Sequence, residues 1–293
     1  MAAQSGISRL ARATISAMPQ RLARDLLFRH RFGYFPDLTN PQTFQEKLNY
    51  RIIFDRRDLL ITASSKVNSK RYVEKLRIPS LHFPKTIWHG SDLEELAEVY
   101  SAYDWVLKPS HRSGAAYFGG PGYIPVDKYK DILKESLNER EYKRNKLWAY
   151  RHVTRELILE ERLGGTSGLT DYKFFVFNGK VALTQVDTNR FNEHSRNLYD
   201  EDFKLLEAGF GVPRGRGEAP QSLLRELASV ASEVGQEFDF ARVDLYHFEG
   251  RTYFGELTMY PGGGLSRWPR DLDRSLGQYW EPFPPVGSQS RGS

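Results

Sequence analysis

Cysteine is absent from the 293-residue chain. That excludes disulfide staples, thiolate metal sites and cysteine nucleophiles. No apolar run reaches the ~18 residues that a membrane helix requires. The N-terminus lacks the apolar core of a secretory signal, so the expected compartment is the cytoplasm. There is no helix-turn-helix, zinc-finger or RNP pattern, and nucleic acid is therefore not an expected partner. No internal repeat is present either. What remains is a chain 40% hydrophobic and 27% charged, enough for roughly one large or two to three small domains with a real core. Its net charge of +5 favours anionic partners such as nucleotide, polysaccharide or a lipid surface.

The most informative stretch is residues 242–264. Two strand-like runs flank a turn at Glu249-Gly250, which reads as a hairpin. Asp244 lies on the first strand and Glu256 on the second, so closure near Gly250 brings the two carboxylates across from one another. With the hydroxyl of Thr258 they make a set of hard oxygens of the kind Mg²⁺ uses when it also holds nucleotide phosphates. The plainer alternative is an amphipathic hairpin with two solvated acids.

Upstream segments add to this. Residues 1–35 carry Ile7, Leu10, Ala11, Ile15 and Met18 at helical spacing, then a second helix from Pro19 with Leu22, Leu26 and Leu27. Arginines 9, 12, 21, 24, 29 and 31 decorate it. It is either a helical arm packed on the body or an interfacial helix making peripheral contact with anionic lipid. A cap is expected within residues 40–47, followed by a helix running toward Asp55, and another helix starts in the stretch from Ser64, with Lys66 near its start suited to phosphate or to solvent. Residues 92–102 and 127–150 are expected to be helices, the latter a solvated charged face.

A short apolar strand ends at Lys108 and opens into a loop with Arg112, Ser113 and Gly114, where backbone amides can approach phosphate oxygens. The turn at residues 119–122 makes that region a flap. A second buried strand runs into Glu160 and Glu161 before the break at Gly164-Gly165, as a hinge between lobes would. Residues 171–187 form a hairpin around Asn178-Gly179. The donor-rich loop with Arg190, Asn192, His194 and Arg196 suits an anionic substrate, or is a surface loop. A helix is expected over 221–237, and a disordered Pro/Gly/Ser-rich tail over 281–293.

In order, the strings Val106-Leu107-Lys108-Pro109, Leu159-Glu160-Glu161-Arg162-Leu163, Arg242-Val243-Asp244 and Glu256-Leu257-Thr258-Met259-Tyr260-Pro261-Gly262 resemble the nucleotide-site elements of the ATP-grasp superfamily. Residues 41–47, 171–179, 190–200 and 255–261 are similar to its TupA-like branch, which is associated with teichuronopeptide and polysaccharide biosynthesis. The resemblance implies an α+β fold in which two lobes clamp ATP, divided as 1–35 (arm), 36–103, 104–163 (central lobe with flap), 164–280 (C-terminal lobe) and 281–293 (tail).

It further implies that Lys66 and Lys108 contact ATP phosphates and that Ser113 and Gly114 lie in the flap. Glu160, Glu161, Arg162 and Leu163 would form the adenine hinge, and Asp171 would hold the ribose. Asp244 and Glu256 would bind Mg²⁺, with Thr258 standing where the family usually has asparagine. Arg242 and the backbone of Gly262 resemble the groups on the reacting carbonyl and phosphoryl oxygens, and with Lys108 they are the expected catalytic set. Arg112 replaces a flap glycine and joins Arg190, Asn192, His194 and Arg196 as expected substrate contacts. The implied activity is a Mg²⁺- and ATP-dependent carboxylate–amine ligase. It would join an amino acid or other carboxylate to an amine on a small molecule or glycan precursor. A kinase acting on a hydroxyl and a non-catalytic nucleotide- or glycan-binding module are the alternatives. The oligomeric state is left open.

Overall fold

The structure, a computed structural model, describes residues 14–112, 115–138, 141–165, 168–189 and 193–286. Helix α1 (Gln20–Phe32) ends at Gly33, whose left-handed φ of 87° lets its amide reach Arg29 O. α2 (Phe44–Phe54) starts with a capping box in which Thr43 and Glu46 satisfy each other's backbone amides. α3 (Asp58–Ser64) runs into α4 (Lys66–Lys75), whose cap is the Ser65 hydroxyl accepting from Asn68 N.

The smaller strands follow: β1 (Leu81–His82), β2 (Thr86–Gly90), β3 (Tyr100–Ser101), β4 (Trp105–Pro109), β5 (Tyr117–Gly119), β6 (Gly122–Tyr123) and β7 (Leu157–Glu161). α5 (Leu93–Ala97) lies between β2 and β3, and α6 (Val126–Asn138) and α7 (Glu141–Asn145) lie between β6 and β7. The C-terminal half carries β8 (Asp171–Phe177), β9 (Lys180–Thr188), β10 (Ser195–Tyr199), α8 (Gln221–Gly235), β11 (Ala241–Phe248), β12 (Arg251–Thr258) and α9 (Arg270–Gln278).

These strands form a four-stranded sheet in the order β2-β7-β4-β5 and a six-stranded sheet in the order β1-β12-β11-β8-β9-β10. All pairings in both are antiparallel except β1 with β12. The fold is α+β, as expected.

The large sheet is buried on both faces, which is why β8 reads as an unbroken apolar run after Lys173. One face, with Phe174, Val176, Val243 and Leu245, packs against Leu224, Leu227, Ala231 and Val234 of α8. The other face changes character along the strands. At one end Phe175, Phe177 and Phe240 enclose Phe44 of α2 together with Trp268 and Trp280. Two residues earlier on β8 the same face carries Lys173 and then Asp171, because side chains alternate along a strand. The aromatic end fixes α2 and α9, and the charged end is left for chemistry.

Several local expectations change. Residues 92–102 hold a short helix, then a strand, because Asp92 caps only one turn and a half before Tyr100 pairs with Tyr123. The expected helix over 127–150 is broken, and α6 buries Val126, Leu133 and Ser136 rather than presenting an all-solvated face.

The arginines of the described arm turn inward or onto rings. Arg24 is fully buried, Arg31 Nε donates to Leu265 O at 2.9 Å, and Arg29 and Arg21 lie over Phe35 and Phe54. Residues 20–32 are thus packed on the body through this face. Ile7, Arg9, Leu10, Ala11 and Arg12 lie outside the described residues. Among the described residues no helix is long and apolar enough to cross a membrane.

Residues 281–286 also pack rather than trail away. Arg57 lies 4.5 Å from the Phe283 ring centroid, and Tyr50 Oη donates to Pro285 O at 3.2 Å. Composition alone misses this because one exposed-looking aromatic can anchor a proline-rich segment. The rest of the expected tail, 287–293, lies outside the described residues.

Candidate active site

The β11–β12 hairpin closes as expected, with left-handed Glu249 and Gly250 (φ 49° and 70°) at its turn. Its register sets Arg242 opposite Thr258 and Asp244 opposite Glu256. Gly255 is the extra residue of a bulge beside the acids, and a Cβ there would stand 2.8 Å from Asp244 O. Glycine therefore lets the strands approach where the carboxylates face each other.

Cross-strand register extends this pair into a transverse row. Lys173 lies opposite Asp244 and Gln185, Asp171 opposite Asp187, and Asp187 opposite Arg196. Lys173 Nζ is 3.1 Å from Asp171 Oδ1, 3.7 Å from Asp187 Oδ2 and 3.8 Å from Asp244 Oδ2. Arg242 donates from Nε and Nη2 to the two oxygens of Asp244, both at 2.7 Å, and from Nη2 to Thr258 Oγ1 at 3.0 Å. Thr258 Oγ1 in turn donates to Glu256 Oε1 at 3.3 Å.

The environments of the two acids differ. Burial pushes the Asp244 carboxyl up, ahead of the opposing pull of Arg242 and Lys173. Burial also opposes ionisation of Glu256. There Lys66, Arg242, Lys108 and Lys173 together outweigh it and hold the carboxyl at about 2.

A second bank comes from the small sheet and α4. Lys66 N donates to Ser110 O at 3.1 Å, and the hydroxyls of Ser65 and Ser110 lie 3.1 Å apart, so the start of α4 is docked on the end of β4. That docking aims Lys66 at the row: its Nζ donates to Arg112 O at 2.6 Å and lies 3.8 Å from Glu256 Oε2. Burial lowers its ammonium pKa, against the pull of Glu256. One helical turn on, Lys70 donates to Glu160 Oε1 at 2.8 Å, while Lys108 is 2.7 Å from Glu160 Oε2. Glu160 thus carries a lysine on each oxygen, and these outweigh burial in holding its carboxyl below the usual range.

The structure brings together Lys66, Lys108, Glu160, Asp171, Arg242, Asp244, Glu256 and Thr258. It changes what several of them offer. The Glu160 side chain is held between Lys70 and Lys108, so any contact to adenine there falls to the backbone. Around it, Glu161 N donates to Lys85 O and Arg162 N to Asp104 O, and the Arg162 guanidinium lies 4.4 Å from the Phe118 ring centroid on flap strand β5. Leu163 follows at the turn. Asp171 is 3% exposed and lies beside Lys173.

Arg196 is also committed internally. It donates to Asp187 from Nε at 2.6 Å and Nη2 at 3.1 Å, and it lies over the Phe210 ring. Its fork is therefore bonded to a carboxylate of this chain, as that of Arg242 is to Asp244. The pair holds Asp187 at about 2 despite burial. His194 Nε2 stands 3.6 Å from the same acid. His111 is buried, with Nε2 3.1 Å from Ser136 O, and belongs to the small-lobe core. Arg112 contributes its carbonyl to Lys66. Ser113, Gly114, Arg190 and Asn192 lie outside the described residues.

Sequence reasoning missed Lys70, Lys173 and Asp187. Lys70 follows Lys66 at i+4 on one helix face, and Lys173 follows Asp171 at i+2 on one strand face. Both spacings are visible in the sequence, but a second charge on one face is as readily a solvated one.

Among the described residues no group of three or more histidines or acids is placed to hold a metal. Mg²⁺ needs fewer: it is commonly held by one or two carboxylates plus substrate phosphates. Glu256, 31% exposed at its side chain, fits that role. Asp244 fits as second ligand if Arg242 turns from it toward a phosphate. The Thr258 hydroxyl is engaged with Arg242 and Glu256, which suits orienting the glutamate.

The profile of the TupA-like ATPgrasp family matches residues 46–281. The chain belongs to the TupA-like ATP-grasp family. No curated protein matches it. Among solved structures it is similar to D-alanine–D-alanine ligase from Bacillus anthracis (16% identity, TM-score 0.42, covering 74% of this chain and 64% of that one). It is also similar to VanG D-Ala:D-Ser ligase from Enterococcus faecalis (15%, 0.44, 74% and 60%) and to L-amino acid ligase from Bacillus licheniformis (12%, 0.46, 84% and 57%). This TupA-like chain spans less than two thirds of the length of each.

Lys108 and Lys130 provide a contrast within this family member. Lys130 is half exposed and 3.9 Å from Asp127 on α6, where ion pairs contribute little. Lys108→Ala is expected to weaken ATP binding by about tenfold or more, equivalent to ~1.4 kcal/mol, and Lys130→Ala to leave it unchanged. Titration of both variants with ATP checks this, and equal affinities would remove Lys108 from the nucleotide site.

Proposed function

We propose that the protein is an ATP-dependent carboxylate–amine ligase that forms an amide or peptide bond through an acyl phosphate. The observation that carries this reading is the meeting of Lys66 and Lys108 from one bank with Arg242, Asp244 and Glu256 from the other. A carboxylate is a poor acyl donor because its leaving group would be oxide. Transfer of the γ-phosphoryl of ATP to that oxygen makes phosphate the leaving group. An amine then attacks the carbonyl carbon: the C–N bond forms, the C–O bond to phosphate breaks, and the amine proton is lost to solvent or to the departing phosphate. Such a sequence asks for alignment and charge compensation more than for a protein nucleophile.

In this reading Lys66 and Lys108 hold phosphate oxygens, and Glu160 keeps Lys108 and Lys70 in place between turnovers. Backbone carbonyls of Glu161 and Arg162 and the backbone of Leu163 hold adenine, the amides of Glu161 and Arg162 being bonded to Lys85 and Asp104. Arg242 and the amide of Gly262 hold the oxygens on which charge develops. Glu256 and Asp244 would hold Mg²⁺, which when bound supplies charge compensation at the transferring phosphoryl group. The carboxylate substrate is an amino acid or similar small acid, and the acceptor an amine on a small molecule or glycan precursor. An ADP-release screen over amino acids paired with amines, with mass detection of the product, tests the reading. Release that depends on the amine, with an amide product, is expected. ADP formed with a phosphorylated hydroxyl product would make the protein a kinase, and ATP binding without ADP release from any pair would make it a binding module.

A further inference from the structure

The family match begins at residue 46, so α1 lies outside it. Yet α1 carries the fully buried Arg24. Its Nε and Nη2 donate to Asn49 Oδ1, the first at 2.9 Å, its Nη1 to Asn145 O at 3.0 Å and its Nη2 to Gly263 O at 2.8 Å. All these bonded acceptors are neutral. A guanidinium buried on neutral acceptors is an expensive way to fill a core, so its geometry must serve something that an apolar residue would not.

What it serves is the loop after β12. Residues 262, 263 and 264 are consecutive glycines with φ of 58°, 64° and 69°. A run of left-handed glycines has no side chains to lock it and loses more freedom on ordering than any other sequence. Within the loop Gly263 N donates to Tyr260 O at 2.8 Å and Leu265 N to Gly262 O at 3.2 Å, and the remaining constraints come from outside. Arg24 takes Gly263 O. Asn49, also fully buried, donates to Gly264 O at 2.8 Å, and Arg31 donates to Leu265 O at 2.9 Å. Gln45 Oε1 accepts from Ser266 N at 3.2 Å. Each residue from 263 to 266 is therefore bonded to α1 or α2. The fit is close: a Cβ on Gly264 would lie 3.1 Å from Asn49 Nδ2 and 3.2 Å from Arg24 Nη2, and one on Gly262 would lie 1.9 Å from Ser266 Oγ.

We propose that Arg24 is a positioning residue for the reaction: acting with Asn49, it sets the backbone of residues 262–264 so that the Gly262 amide meets the oxygen on which charge develops. The N-terminal helix is then a working part of the catalytic lobe. The proposal rests on the ligase reading for its chemistry, but the positioning of the loop can be measured without turnover.

The test compares wild type, Arg24→Lys and Leu27→Ala in the full chain. Lysine keeps the charge but loses the fork, and Leu27 is a buried apolar neighbour on α1 with no bond to the loop. Readouts are kcat, KM for ATP, thermal melting, and amide hydrogen exchange at residues 262–266. Arg24→Lys is expected to lower kcat by ~10- to 100-fold, as a small misplacement of a reacting group does, with KM for ATP changed by less than about twofold. Exchange at 262–266 should rise in Arg24→Lys and stay at the wild-type rate in Leu27→Ala. Unchanged exchange in Arg24→Lys overturns the proposal, as does an equal kcat loss in Leu27→Ala at matched melting temperature. If Arg24→Lys does not fold, Asn49→Asp, which keeps the acceptor for Arg24 but loses the donor to Gly264 O, decides on the same readouts. A wild type that binds ATP but turns over no pair of substrates defeats the ligase reading, while the exchange comparison still decides whether Arg24 orders the loop.

Discussion

Glu256→Gln is expected to lower turnover by ~100- to 1,000-fold at saturating Mg²⁺, the scale seen when one preorganised charge partner is removed from a reacting centre. The fold should survive, because the side chain is partly exposed at the end of β12 and its amide isostere fills the same volume. The electrostatics make a second, opposite prediction. Glu256 is surrounded by Lys66, Arg242, Lys108 and Lys173, which hold it ionised down to a pH of about 2. Glutamine leaves those cations in excess, so nucleotide should bind more tightly than to wild type when Mg²⁺ is absent. Isothermal titration with and without Mg²⁺, beside ADP release, reads both effects. Near-normal turnover of the variant would falsify the metal assignment.

Asp239→Ala is expected to cost ~3–5 kcal/mol of stability, the penalty for leaving a buried partner charge uncompensated. Asp239 Oδ1 accepts from Arg51 Nη2 at 2.8 Å and from Arg57 Nη2 at 2.6 Å, while Oδ2 accepts from Trp280 Nε1 at 2.8 Å. Arg51 is fully buried and stacks over Trp280, so it has no route to solvent once the acid is gone. The same pair predicts how the wild type responds to acid. Burial opposes ionisation of Asp239, but Arg51 and Arg57 outweigh it and hold the carboxyl at about 2, below its ordinary 3.8. A depressed carboxylate contributes stability above its unfolded pKa and loses it as pH falls toward the folded one. About 2 kcal/mol should therefore vanish between roughly pH 4 and pH 2, and Asp239→Ala should lack that part of the acid dependence. Urea melts of both proteins at pH 7, 4 and 3 measure it. Parallel acid curves for the two would count against this account of Asp239.

The hairpin of Asp244 and Glu256 was legible because strand alternation and a Glu-Gly turn fix register locally. Lys108 at a strand end was legible for the same reason. What escaped were contacts made across the chain. Nothing near Glu160 in sequence announces that Lys70 and Lys108 will share its two oxygens, since they arrive from a helix and a strand far upstream. Arg196 reads as a substrate fork, and its bond to Asp187 emerges only when β9 and β10 set the two opposite each other. The arm reads as either a packed helix or an interfacial one, because a guanidinium bonded to neutral carbonyls leaves no acidic partner to find in the sequence. Composition likewise makes 281–286 look unstructured, although Phe283 meets Arg57 there.

The row across the large sheet and the bank beside it bear on how nucleotide first reaches the protein. Lys66, Lys70, Lys108, Lys173, Arg196 and Arg242 are interleaved with Glu160, Asp171, Asp187, Asp244 and Glu256, so that, among these residues, the cations are largely cancelled within the site itself. Seen from several ångströms away such a pattern has little field of its own, since neighbouring opposite charges offset each other before solvent ions screen what is left. The site itself would then add little long-range steering of ATP to that of the chain's net charge of +5. Its own attraction would begin only on contact, when phosphate oxygens compete with Glu160 and Glu256 for the same lysines. The site would exchange an internal anion for an external one, and its selectivity for a polyphosphate would lie in that competition rather than in long-range capture.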